Sequence, residues 1–187
     1  GSFAAREGSK AMPYAVPNVR VELAEWNPGV PISIWRSVGH SYTCFVIESF
    51  VDELAAAAGE DPAAFRRRYL KDSPRHLAAL ELVLERSGWQ DRPPPGRRRG
   101  LAIQEAFGSV VAQVAEVSVT ADNAIRVHRV TCAVDCGTAI NPDIVRQQME
   151  GGILFGLSAA LYGEITLEDG AVRESNFHDY PVLRMHE

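Results

Sequence analysis

The chain reads as an α+β protein in which helices come first and strands follow. Two start signals mark the helical part: Asp61-Pro62 and Ser73-Pro74 each set a capping residue before a proline suited to a first helical turn. Beyond residue 100 the texture changes. Leu101 to Phe107, Val110 to Val119 and Ile125 to Val134 each suit a strand, and Ala121-Asp122-Asn123 suits a hairpin turn. No internal repeat is evident, and helices grouped apart from strands define this class.

Residues 1–13 read as a loose N-terminal end. Val19-Arg20-Val21-Glu22-Leu23 alternates apolar and polar residues, the pattern of a strand with one wet face. Pro28-Gly29-Val30-Pro31 follows as a turn or rigid extended segment. Trp35 to Ser41 has no period and predicts a loop leading into a helix over about 42–58. That helix carries Phe45, Val46, Ile47, Phe50, Val51 and Leu54 around most of its circumference, which predicts an interior position. Leu77, Leu80 and Leu84 form a core-facing stripe on a later helix that Gly88 and Trp89 close.

Residues 91–99, rich in proline and arginine, predict a stiff polar linker. It would divide a subdomain over 14–90, containing a strand, a loop and helices, from a β-rich subdomain over 100–187. The second would hold a helix over about 143–161, capped by Asn141 with Pro142 at its first position. A last hairpin is expected around Asp169-Gly170.

Composition excludes some partners. A net charge of −5 argues against a nucleic-acid surface, and the triplets Arg66-Arg67-Arg68 and Arg97-Arg98-Arg99 read as solvated or linker charges. No apolar run reaches membrane-spanning length. Cys44, Cys132 and Cys136 include no CxxC pair, so buried thiols fit better than zinc or cluster ligands.

The most informative stretch is Asp135-Cys136-Gly137-Thr138-Ala139-Ile140-Asn141-Pro142, followed by Gln148-Met149-Glu150-Gly151-Gly152-Ile153-Leu154-Phe155-Gly156. Glycine costs a helix interior about 1 kcal/mol relative to alanine. Three in six positions imply that something bulky approaches the helix backbone, or that the helix packs closely on a sheet. Gln148, one turn earlier on nearly the same face, offers an amide donor and acceptor. His178-Asp179 suggests a catalytic pair, but no nucleophile accompanies it.

Two segments resemble the molybdenum hydroxylases, the xanthine dehydrogenase and aldehyde oxidase family. Trp35-Arg36-Ser37-Val38-Gly39-His40-Ser41 leading into Phe45 to Ala55 is similar to their arginine-containing loop and following helix. Asp135 to Gly156 is similar to their Asp-x-Gly-x-x-x-Asn-Pro…Gln-x-Glu-Gly-Gly…Gly signature. The nearest branch is the large subunit of isoquinoline 1-oxidoreductase-like bacterial enzymes, which Gly108 to Ala112 and Asn176 to Pro181 also suit.

That resemblance implies hydroxylation of an N-heterocycle or aldehyde with water as oxygen source. It implies a molybdopterin-type molybdenum cofactor, in its cytosine dinucleotide form, and a small iron–sulfur subunit as partner. The metal would be held by the pterin dithiolene and by no protein ligand. Arg36, Gln148, Gly151 and Gly152 would be cofactor-binding residues, and Val38 and His40 would line the substrate pocket. Arg36 would support negative charge near the metal. Valine at position 38, where relatives often carry an aromatic, implies a differently shaped pocket. The general-base glutamate of the family stands in a Gly-Glu-Pro-like motif that this sequence does not reach, and Glu187 has no such context. On this reading the chain contains no catalytic residue and is inactive when isolated. The alternative is a non-catalytic α+β interaction module whose exposed faces drive self-association. The sequence assigns no compartment.

Overall fold

The computed structural model describes residues 6–9, 12–27, 29–30 and 32–185. The chain divides into two compact units, Gly1–Trp26 with Ser33–Gly137, and Asn27–Ile32 with Thr138–Glu187. The division follows Gly137, whereas the sequence suggests a linker at 91–99. That stretch lies inside the first unit, and its last three residues are already strand.

In the first unit, α1 (His40–Ala57), α2 (Pro62–Tyr69) and α3 (Pro74–Ser87) precede β1 (Arg97–Ala106), β2 (Ser109–Val119) and β3 (Ile125–Asp135). The class is α+β. The strands form one antiparallel sheet in the order β1-β2-β3, with Leu101 opposite Val114 and Ala112 opposite Ala133. A register shift lies between Glu116 and Val117.

Period-two alternation buries Val110, Ala112, Val114 and Glu116 on one face of β2. Helix α3 packs on β2 and β3, and α1 packs on β1. The core combines Leu80, Val83 and Leu84 of α3 with Leu101, Ile103 and Val110 of the sheet, joined by Val51, Ala55, Phe65 and Leu70. Leu77 of the expected stripe packs at the margin of this cluster.

The start signals act differently. The Asp61 carboxylate accepts the Ala63 and Ala64 N–H groups at 3.0 Å, a side-chain cap. Ser73 occupies the cap position of α3, but its hydroxyl donates to Pro13 O at 3.0 Å. Gly88 closes α3 in the left-handed conformation with φ 66°.

Several expectations need correction. No strand forms over 19–23. Among the described residues this segment has no ladder partner, and Val19, Val21 and Leu23 are exposed. The N-terminal end is not uniformly loose: Thr43 Oγ1 donates to Glu7 O at 2.8 Å, and the Glu7 carboxylate accepts the Gly39 N–H. Residues 1–5, 10 and 11 of that end, Pro28 and Pro31 of the expected turn, and Glu187 lie outside the described residues. Helix α1 is only half interior. Thr43, Glu48, Val51 and Ala55 are buried, while Phe45, Val46, Phe50 and Leu54 are exposed.

Neither arginine triplet is merely solvated. Arg66 is fully buried. Arg97 and Arg99, two residues apart and so on one face of β1, both reach the buried Glu116 at 2.8 and 3.2 Å. The three thiols are half-buried and free, and burial pushes Cys44 up to about 12.

The second unit contains α4 (Pro142–Tyr162) and a hairpin of β4 (Leu167–Glu168) and β5 (Ala171–Val172). Asn141 caps α4, its side-chain oxygen accepting the Asp143 and Ile144 N–H groups at 3.1 and 3.2 Å. After the hairpin, the Asp179 carboxylate gathers the Ser175 and Asn176 N–H groups, and these bonds hold it down at about 2.

Candidate functional site

The candidate residues fall into two sets, one in each unit. In the first, Arg36, Val38 and His40 share the turn that opens α1. Val38 N–H bonds Trp35 O at 3.0 Å and His40 N–H bonds Ser37 O at 3.1 Å. Ser37 and Val38 hold φ values of 77° and 51°. Left-handed geometry at a β-branched residue is strained, by about 1–3 kcal/mol, and such strain concentrates at functional segments. Arg36 is exposed and Val38 is half-buried.

His40 is held on two sides. Its Nδ1 lies 2.9 Å from Gln104 Nε2 on β1, and its ring meets Phe107 edge-on at a centroid distance of 5.5 Å. With the Gln104 amide as donor, Nδ1 accepts and the imidazole proton resides on Nε2. The ring therefore has a fixed orientation and one N–H left to offer.

The second set lies on α4. Gln148, Gly151, Gly152 and Gly156 fall at i, i+3, i+4 and i+8, on one side of the helix. A Cβ built on Gly151, Gly152 or Gly156 would meet nothing within 4 Å. The close-packing explanation thus finds no partner atoms among the described residues. Gln148 is exposed beside this bare backbone. An open glycine face with an adjoining amide leaves room for a bulky, hydrogen-bonding group to approach the helix backbone. Asn141, by contrast, is a helix cap.

Sequence reasoning missed a neighbouring arrangement. Arg75, the second residue of α3, donates through Nε to Asp135 Oδ2 at 2.9 Å and through Nη2 to the Asp135 and Gly108 carbonyls. Asp135 also accepts the Gly137 N–H at 2.9 Å, and Gly137 has φ 75°. The Arg75 guanidinium, helped by that amide, holds the Asp135 carboxyl down at about 2. The opening aspartate of the sequence signature is thereby anchored to α3 and to the β1–β2 turn. Nothing in local spacing announced this, because the two residues meet only across the sheet end.

The hydrolytic reading of His178 and Asp179 gains nothing. Their closest approach is 3.5 Å, and Ser175 Oγ donates to Asp179, not to His178. A nucleophile of that type must donate to the base. Among the described residues, no group of three or more metal-ligating side chains converges.

Comparison with known proteins assigns the chain to a family. Residues 75–187 match the molybdopterin cofactor-binding domain. The chain is 40% identical to the beta subunit of isoquinoline 1-oxidoreductase from Brevundimonas diminuta, over 92% of this chain and 22% of that protein. It is 32% identical to a subunit of nicotinate dehydrogenase from Pseudomonas putida, over 94% of this chain and 16% of that protein. A membrane-bound aldehyde dehydrogenase of Gluconacetobacter polyoxogenes, named for pyrroloquinoline-quinone, is 28% identical over 92% of the chain and 25% of its own length. No solved structure matches. The chain belongs to the molybdenum hydroxylase family and contains its molybdopterin cofactor-binding domain. It spans a quarter or less of the length of these curated relatives.

Proposed function

We propose that this chain forms part of the cofactor-binding wall of a molybdopterin-dependent oxidoreductase that hydroxylates an N-heterocycle or an aldehyde. The glycine face of α4 carries the proposal, because an added methyl group there would touch nothing within 4 Å. Glycine is therefore not required by packing within the described chain. A ligand that needs bare helix backbone accounts for it.

When bound, the molybdenum cofactor, in its cytosine dinucleotide form, supplies the redox centre for the reaction. This chain's residues bind and orient. Gln148 presents its amide to the cofactor beside Gly151 and Gly152. Arg36 offers a guanidinium to negative charge that develops near the metal. Val38 and His40 shape the substrate entrance, where the fixed imidazole offers its remaining N–H. Catalysis also requires a general base, a role that none of the residues assigned here fills. Electrons leave through a small iron–sulfur subunit. Two of the relatives are named as single subunits of their enzymes, which supports a multi-subunit assembly.

The test is metal analysis with pterin fluorescence and turnover on the complete subunit and its partner. Gln148→Ala and Arg36→Ala should each lower turnover on the order of 100-fold without unfolding the protein. Wild-type rates in both variants would remove the assignments.

A further inference from the structure

The cofactor reading leaves the outer face of α1 unused. Phe45, Val46 and Phe50 are 72%, 61% and 57% exposed, and Leu54 extends the same stripe. Positions 46, 50 and 54 repeat every four residues and line one side of the helix, and Phe45 stands about a quarter turn from Val46 on the same exposed half. The other side, with Glu48, Val51 and Ala55, is already packed into the first unit. A single exposed phenylalanine needs no explanation, but two with a valine and a leucine on the exposed half of one helix do.

We infer that this stripe is covered by a further segment of the same polypeptide in the complete subunit. Two observations choose this occupant over a second copy of the chain. The relatives that match over 92% and 94% of this sequence devote only 22% and 16% of their own length to it, so most of each relative lies outside the matched region. The stripe is also short. The ten residues from Phe45 to Leu54 span about 15 Å of helix, whereas a stable interface buries about 800 Å² on each partner. An intrachain contact pays no loss of free translation and suits a patch of this size. The inference rests on family membership and not on the assignment of Gln148 or Arg36.

Thiol labelling of the complete subunit tests it. Val46→Cys places a probe on the stripe, and Glu85→Cys places a control on the exposed side of α3. Peptide-resolved mass spectrometry separates both from Cys44, Cys132 and Cys136. The Val46→Cys thiol should react with maleimide at least about 100-fold more slowly than the control in native buffer, and equally fast in denaturant. Equal native rates overturn the inference. Protection that disappears on dilution also overturns it, because the cover then belongs to another molecule. Ser49→Cys, on the same side and with no apolar group to lose, repeats the measurement should Val46→Cys fail to fold. Molybdenum content on the same samples keeps the two readings apart. Fast labelling with full metal sinks only this inference, and slow labelling without metal sinks only the cofactor assignment.

Discussion

Arg66 Nη2 and Glu48 Oε2 lie 3.1 Å apart in the core of the first unit and together occupy the outer edge of β1. The Glu48 carboxylate accepts the Ile103 N–H at 2.9 Å, and Arg66 donates to Leu101 O at 3.1 Å. These backbone groups point away from β2, so the ion pair serves them as a neighbouring strand would. Tyr14 donates its hydroxyl to Glu48 at 2.7 Å, and Asp52 takes a further bond from Arg66. The pair thus protects one sheet edge.

Burial raises the Glu48 carboxyl above its usual range, against the pull of Arg66 and of the bonds from Tyr14 and Ile103. Removing one partner strands the other. Glu48→Leu or Arg66→Met alone should destabilise the protein by about 3–5 kcal/mol, measured by urea unfolding. The double variant should cost clearly less than the sum of the two. Additive losses would mean that the residues act separately.

Arg75 and Asp135 supply a pH-dependent contact. The folded value of Asp135, about 2, lies below the ordinary carboxyl value near 3.9. A depressed carboxyl stabilises the fold above the ordinary value, and that contribution is lost as pH falls towards 2. Arg75→Met should return Asp135 towards the ordinary range, read by carbon-detected NMR of the carboxyl. An unchanged titration would assign the shift to the Gly137 N–H alone.

How much of this was legible follows from the range of each interaction. Asp61, Gly88 and the turn at 121–123 act within a few residues, and the helices and strands they bound lie close to where the sequence sets them. The alternation at 19–23 failed because a strand needs a partner, and the pattern carries no information about one. Arg66 was unreadable because a run of three arginines hides a single position facing the core. Gln148 and the glycines could be grouped by helical period alone. Arg36 belongs to another unit of the chain, and no spacing rule relates it to them.

The glycines of α4 permit a prediction in which stability and function separate. Gly152 lies in helix with open space where a Cβ would stand, so Gly152→Ala should raise the stability of the cofactor-free protein by up to about 1 kcal/mol. Gly163 behaves oppositely: its Cβ would stand 2.8 Å from Ala159 O and 3.1 Å from Ala159 Cα, both backbone, so Gly163→Ala should destabilise. If α4 receives the cofactor as proposed, Gly152→Ala in the complete subunit should lower molybdenum and pterin content despite the firmer helix, because a methyl group would stand in the path of approach. Thermal unfolding of cofactor-free protein and metal analysis of loaded protein give the two readouts. A variant that is both more stable and fully loaded would show that the glycine face serves some other purpose.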